Sequence, residues 1–337
     1  MKVCVIGAGA IGGLMGAKLA LAGEEVTVVD QGAHLKAIQQ NGLKLIWHDG
    51  TEHVAKIAKA TDKVESAGKQ DLIILALKAH YLEQVARQLP KIVGPDTMIV
   101  TVQNGIPWWY FHKHGGELEG TPVKSVDPDG TIARHIAPGR IIASVVYPAA
   151  NLVAPGVVQV VEGNRFSLGE LDGSTTERIQ ALAASFISAG FKAPISRDIR
   201  GEIWVKLWGN LSFNPLSALT HATLQDICRY PLARDLAAKM MGEAESIAKK
   251  LGVQFRVSIE RRIEGAEKVG AHKTSMLQDI EQGRPIELEA LLGSVVELGA
   301  LTGTPTPHLG AIYACASLLA HTLQAQGGKL KVQSPKH

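Results

Sequence analysis

Apolar positions in the first two hundred residues come in short continuous runs, whereas later ones recur at helical spacing. Residues 2–7 (KVCVIG) have the pattern of a buried strand. A glycine-rich turn follows, then a helical stretch to about Ala22 that Gly23 ends. EVTVVD at 25–30 predicts a second buried strand. Strand, glycine turn, helix and strand over about thirty residues make a βαβ unit, which implies a parallel sheet. The run DLIILAL at 71–77 predicts an inner parallel strand and 81–89 a helix. TMIVTV at 97–102 predicts a strand closed by a Gln103-Asn104-Gly105 turn. Residues 141–146 and 157–161 supply further strands, and 177–189 an amphipathic helix. Residues 1–196 therefore read as one doubly wound α/β domain with a late β-rich portion. From 197 onward the pattern is helical, over 201–219, 232–251, 257–270, 285–301 and 307–323, which predicts a second, all-α domain at 197–325. The polar tail from Gln324 is expected to fray, with 326–337 disordered. A chain of 337 residues is long for one core and suits two.

Composition narrows the partners. With 46% apolar and 20% charged residues the chain has the profile of an ordinary globular protein. A net charge of +3, scattered basic residues and 5% aromatics argue against a nucleic-acid or anionic-membrane surface. No run approaches the ~18 apolar residues of a membrane span. The first residues begin a strand, with glycines where a secretory signal would keep an apolar core. Cys4, Cys228 and Cys315 are odd in number and far apart, which predicts free thiols in a reducing compartment. A cytoplasmic protein is the expectation. No His, Cys, Asp or Glu grouping has metal-ligand spacing.

Gly7-Ala8-Gly9-Ala10-Ile11-Gly12 is a G-x-G-x-x-G that follows a buried strand and opens a helix, the context in which it binds a dinucleotide. Gly7 permits the turn, Gly9 lets the backbone approach the pyrophosphate, and Gly12 lets helix and strand pack closely. The helix N-terminus, with Ala10 and Ile11, offers amide donors and partial positive charge to the phosphates. Asp30 ends the second strand, where a carboxylate accepts the adenosine ribose hydroxyls. Gln31 beside it is neutral, which favours NAD(H). Asp30 capping a turn is the plainer alternative. Lys78 and Asn104 follow strands at the edge where open α/β sheets bind ligands, although a surface lysine and a simple turn would look the same.

In the second domain Lys206, Asn210 and Asn214 are spaced i, i+4, i+8, which puts them within roughly 80° on one helix face. Trp204, Leu207, Trp208 and Phe213 surround that stripe. A lysine desolvated there has a lowered pKa suited to proton transfer, and asparagines bind hydroxyls without charge. The plain alternative is a lysine that snorkels to water. Ser275 has the type of a helix cap, and Glu287 lies near a helix start after Pro285, where dipole stabilisation alone would explain it. His272 is a weaker acid candidate. Four aromatics, Trp108-Trp109-Tyr110-Phe111, either shape a bulky pocket or pack a loop.

GAGAIG, Leu77-Lys78, Gln103-Asn104-Gly105, KLWGNLSFNPLSAL from Lys206, SMLQD from Ser275 and RPIE from Arg284 occur in this order along nearly the whole chain. In these motifs the chain resembles the ketopantoate reductase (2-dehydropantoate 2-reductase) family. The resemblance implies a Rossmann domain, a helical domain and substrate bound between them. It implies hydride transfer from NADPH to C2 of 2-dehydropantoate, giving pantoate for coenzyme A. By position, Lys206 resembles the general acid and Glu287 the carboxylate that orients it. Asn210 and Asn214 resemble the holders of the substrate hydroxyl, Ser275 a substrate-carboxylate contact, and Lys78 and Asn104 residues near the nicotinamide. The chain departs from the family at Asp30-Gln31, where a basic residue usually meets the 2′-phosphate, so NADP(H) and NAD(H) both stand. Another branched or bulkier 2-oxo acid is the rival substrate, and a dinucleotide-binding regulator without chemistry the rival class. Self-association as a homodimer stays open.

Overall fold

The computed structural model describes residues 1–325, so the tail expected to be disordered, 326–337, lies outside the described residues. Chain contacts divide it into two units. The first is Met1–Asn104, Trp108–Pro122 and Asp127–Ile199. The second is Gly105–Pro107, Val123–Val126 and the described residues from Arg200 on.

The first unit contains β1 (Lys2–Ile6), α1 (Ala10–Leu21), β2 (Glu25–Val29), α2 (Gly32–Asn41), β3 (Leu43–Ile46), β4 (Glu52–Ala55), β5 (Lys59–Thr61), β6 (Gln70–Leu75), α3 (Leu82–Ala86), β7 (Val93–Thr101), α4 (Thr131–His135), β8 (Ile141–Val146), β9 (Ala149–Ala154), β10 (Val157–Glu162), β11 (Phe166–Gly169) and α5 (Glu177–Ser188). Seven strands form one sheet in the order β11-β8-β7-β6-β1-β2-β5. All its pairings are parallel except β11 with β8. β1 lies between β2 and β6 with Val5 opposite Val28 and Ile74, and these central strands are apolar on both faces because both are covered.

A second sheet, β4-β3-β10-β9, covers the other side of α1. That arrangement explains why α1 is buried almost all round, since a helix clamped between two sheets has no water face to mark with polar residues. Its small residues make the clamp possible. A Cβ on Gly13 would come 2.8 Å from Val158 Cγ2, and one on Gly16 would meet Val5 and Val28 at 3.4 and 3.8 Å. The sequence pattern missed β3, β4, β5, β9 and β11. They are short, and β4 and β9 are mostly exposed, so neither a buried run nor clean alternation marks them. The helix expected at 81–89 is α3 between two 3₁₀ turns, Ala79–Tyr81 and Leu89–Lys91; Pro90 lacks the amide that would continue it.

The second unit is helical: α6 (Ile199–Thr220), α7 (Leu224–Arg229), α8 (Pro231–Lys250), α9 (Ile259–Lys268), α10 (Ser275–Glu281), α11 (Ser294–Leu301) and α12 (Pro307–Ala325). Trp204 and Trp208 of α6 are fully buried, and the Trp208 indole N–H donates to the Met241 carbonyl at 2.7 Å. α6 runs through Pro215, whose surroundings are buried and outweigh the lost amide bond. The helix expected from residue 285 begins instead at Leu288, with a π-helical turn, Glu289–Gly293, ahead of α11. Pro285 stays outside because Arg284 is tied back to α10, its backbone N–H to the Asp279 carbonyl and its Nε to Asp279 Oδ1 at 2.9 Å. Gln324, expected to fray, is inside α12. Two short segments are bonded to side-chain and backbone acceptors of this unit. Glu297 takes the backbone amides of Lys124 and Ser125, each at 2.7 Å, and the Ser125 hydroxyl. The Ala290 carbonyl takes the amide of Ile106 at 2.9 Å.

Candidate active site

Parallel pairing brings the ends of four adjacent strands, β7, β6, β1 and β2, to one edge of the large sheet. Asn104, Lys78, the glycine turn and Asp30 follow those ends, so the sequence candidates of the first unit are gathered along one edge. Lys78 and Asn104 come three residues beyond their strands rather than directly after them. The intervening backbone is held by Gln103, whose side-chain amide donates to the Leu75 carbonyl at 2.7 Å and the Leu77 carbonyl at 3.0 Å. Lys78 and Asn104 are both half-buried.

The glycine turn has the shape that a pyrophosphate requires. Gly7 has φ +90°, and a Cβ there would press on Leu77 and Ala76. A Cβ on Gly12 would overlap the Gly7 carbonyl. Gly9 differs: no atom lies within 4 Å of the place its Cβ would take, so that side of the turn is open. Gly9 caps α1 with no side-chain acceptor, and Gly9, Ala10 and Ile11 are half-exposed. An open seat at an uncapped helix N-terminus fits an anionic diphosphate.

Asp30 both braces this turn and faces its neighbour. Its Oδ2 accepts the Ala8 amide at 2.6 Å and its Oδ1 the Gln31 amide at 2.7 Å. Each oxygen retains lone-pair capacity for a ribose hydroxyl. His34, which sequence reasoning passed over, completes the brace. Its Nδ1 accepts the Gly156 amide at 2.9 Å, so the proton is on Nε2, which donates to the Ala8 carbonyl at 2.8 Å. A buried histidine in the first turn of a polar helix has no sequence signature of that role.

In the helical unit, Lys206, Asn210 and Asn214 lie on successive turns of α6 as expected, amid buried Trp204, Leu207, Trp208 and Phe213. Burial lowers the Lys206 ammonium from its ordinary 10.5 to about 8, and the Glu287 carboxylate opposes that shift by favouring the charge. Glu287 immediately precedes the helical turn at Leu288. The Asp279–Arg284 bonds fix the loop that carries it. Asn214 is buried, and its Nδ2 donates to Ser275 Oγ at 3.4 Å. Ser275 is not the cap of α10. Thr274 is, accepting the Leu277 amide at 3.3 Å, and this leaves the Ser275 hydroxyl beside Asn214. His272 is an exposed loop residue whose carbonyl receives the Leu224 amide.

The run Trp108-Trp109-Tyr110-Phe111 is interior, between 0% and 6% exposed, with Tyr110 and Phe111 edge to face at 5.0 Å; burial supports its packing role. The three cysteines are free, and burial pushes the Cys4 thiol up to about 12 and the Cys228 thiol to about 11, which makes both inert. Among the described residues no His, Cys, Asp or Glu group could hold a metal, and no helix is long and apolar enough to cross a membrane.

Two family models match, described as Ketopantoate reductase PanE/ApbA over residues 3–173 and Ketopantoate reductase PanE/ApbA C terminal over 198–320. The chain belongs to the ketopantoate reductase family. Among its relatives, the 2-dehydropantoate 2-reductase of Mesorhizobium japonicum is 53% identical over 95% of this chain and 98% of that protein. A solved structure described as a ketopantoate reductase from Ralstonia solanacearum MolK2 superposes with a TM-score of 0.90 at 40% identity, covering 95% of this chain and 98% of the other. The 2-dehydropantoate 2-reductase of Geobacter metallireducens GS-15 superposes with a TM-score of 0.82 at 26% identity over 94% and 99%.

Proposed function

We propose that this ketopantoate reductase family member is an NAD(P)H-dependent 2-oxo acid reductase that converts 2-dehydropantoate to pantoate, in the cytoplasm, for coenzyme A synthesis. The observation that carries the reading is Lys206, a lysine on an aromatic-walled helix face with its pKa brought to about 8 and a carboxylate, Glu287, acting on it. The dinucleotide, when bound at the glycine turn, supplies a hydride to C2 of the oxo acid. Lys206 holds a proton at the C2 oxygen and releases it as that oxygen becomes an alkoxide. A positioned acid of this type contributes roughly 10²–10⁴-fold. Glu287 keeps enough charge on the lysine for it to remain an acid near neutral pH. Asn210, Asn214 and Ser275 supply uncharged hydrogen bonds for the substrate's polar ends. Gly7, Gly9, Ala10, Ile11 and Gly12 hold the diphosphate, and Lys78 and Asn104 serve the nicotinamide end.

At the adenosine end, Asp30 puts a carboxylate where a 2′-phosphate would meet it, and Gln31 brings no positive charge in compensation. This supports use of NADH beside the NADPH that the family resemblance implies. The experiment is oxidation of NADH and of NADPH, side by side, with 2-dehydropantoate. Preference for another 2-oxo acid would remove the pantoate assignment, and tight dinucleotide binding with no oxidation by any 2-oxo acid would remove the enzyme.

A further inference from the structure

The buried His34 ring joins two places far apart in the chain, Ala8 at 26 residues' distance and Gly156 at 122. At the first of them it orients a donor. A trans peptide is planar, with its C=O and N–H pointing in opposite directions. The Nε2–H of His34 fixes the Ala8 carbonyl at 2.8 Å, and so aims the N–H of the same peptide, that of Gly9, away from the ring. The two neighbouring peptides are held by local groups. Asp30 takes the Ala8 amide at 2.6 Å, and the Gly9 carbonyl takes the Gly13 amide at 2.7 Å inside the start of α1. The Ala8–Gly9 peptide depends on a side chain from α2. It is also the peptide at the open side of the turn, where a Cβ on Gly9 would meet nothing within 4 Å.

At the other end the ring is tied to a fixed point. Gly156 lies in the turn between β9 and β10, with φ +75°. Its amide donates to His34 Nδ1 at 2.9 Å, and its carbonyl takes the Lys44 amide at 2.9 Å. A Cβ there would stand 3.0 Å from Ala37 Cβ, so the turn sits close against α2 at both His34 and Ala37. We propose that His34 is a positioning residue for the dinucleotide: it carries the fixed place of the β9–β10 turn to the Ala8–Gly9 peptide, so that the Gly9 amide faces the diphosphate before the ligand arrives. The proposal rests on the dinucleotide reading of the glycine turn. It adds to that site a residue and a hairpin outside the G-x-G-x-x-G motif. A donor already in place needs no ordering when the ligand binds, so the effect falls on affinity.

The test is the Kd of NADH and of NADPH by fluorescence titration, which needs no 2-oxo acid. It compares wild type, His34→Leu, His34→Gln, Gly156→Ala and the double variant His34→Leu/Gly156→Ala. His34→Leu is expected to weaken binding about 5- to 30-fold. His34→Gln recovers most of that loss, because a carboxamide offers a donor and an acceptor as the neutral ring does. In steady-state kinetics the loss falls on the dinucleotide KM more than on kcat. Gly156→Ala keeps the ring but strains the turn that holds it, so it weakens binding in the same direction and guards against misfolding of the leucine variant. The double variant binds no more weakly than the worse single one, because both act through one contact. Wild-type affinity in folded His34→Leu or Gly156→Ala overturns the proposal, as does a His34→Gln no better than His34→Leu or a fully additive double variant. A wild type that binds neither dinucleotide removes the reading of the glycine turn itself, and the proposal with it.

Discussion

Glu287→Gln isolates the electrostatic part of the Lys206 argument, because it keeps the shape of the side chain and removes its charge. Burial brings the lysine down from its ordinary 10.5 to about 8, so the site disfavours its ammonium by about 3 kcal/mol relative to water. The Glu287 carboxylate holds it up against burial. Removing an opposing charge of this kind moves a pKa by about one unit or more. The assay is kcat/KM for 2-oxo acid reduction between pH 6 and 10. In wild type the rate falls above about pH 8, as the acid is lost, and oxidation of the 2-hydroxy acid rises over the same range because it needs the neutral amine. In Glu287→Gln the falling limb moves to about pH 7 or lower. The part of the deficit due to charge is then small at pH 6 and about eightfold at pH 8.5, from the two protonated fractions. A limb that stays at pH 8 or moves upward, or a deficit of equal size at every pH, would refute the electrostatic account.

Lys206→Ala should leave dinucleotide affinity nearly intact and lower turnover by about 10²–10⁴-fold, read by fluorescence titration and steady-state kinetics. The same lysine leaves a mark on stability. Its folded pKa is below the unfolded value, so its cost is fully present below about pH 8, is relieved as pH rises toward 10.5, and the resulting slope is absent from Lys206→Met in denaturant melts across that window. Gly9→Ala should fold with an unchanged melting temperature, because its Cβ meets nothing, yet bind NAD(P)H more weakly. Gly12→Ala should lower the melting temperature, because its Cβ overlaps the Gly7 carbonyl. Gly105→Ala should destabilise by more than 1 kcal/mol, since it combines φ +90° with a collision at the Ala290 carbonyl; a normal denaturation midpoint would count against that contact. Gln31→Arg should raise the NADPH-to-NADH ratio of kcat/KM, and an unchanged ratio would remove Asp30-Gln31 as the selector.

Periodicity and local chemistry determined a good deal by themselves. The runs around Val5, Val28, Ile74 and Val100 are continuous because parallel strands are covered on both faces, and that pattern is written in residue types. The glycine turn was legible because its backbone demands specific residues at specific spacings. The stripe Lys206, Asn210, Asn214 was legible because a helix converts spacing into a face. Only the tertiary structure decided what non-local contacts decide. The second sheet depends on pairing β3 with β10, more than a hundred residues apart, and its short polar strands carry little local signal. Thr274 rather than Ser275 caps α10, and the segment before Leu288 stays out of the helix because Asp279 holds Arg284. The Lys206 pKa, the His34 tautomer and the seat of Gly156 against α2 arise from neighbours brought together by folding. Periodicity records which side of an element meets the core; desolvation, charge and close approach depend on which other element is there, and that is fixed only when the chain has folded.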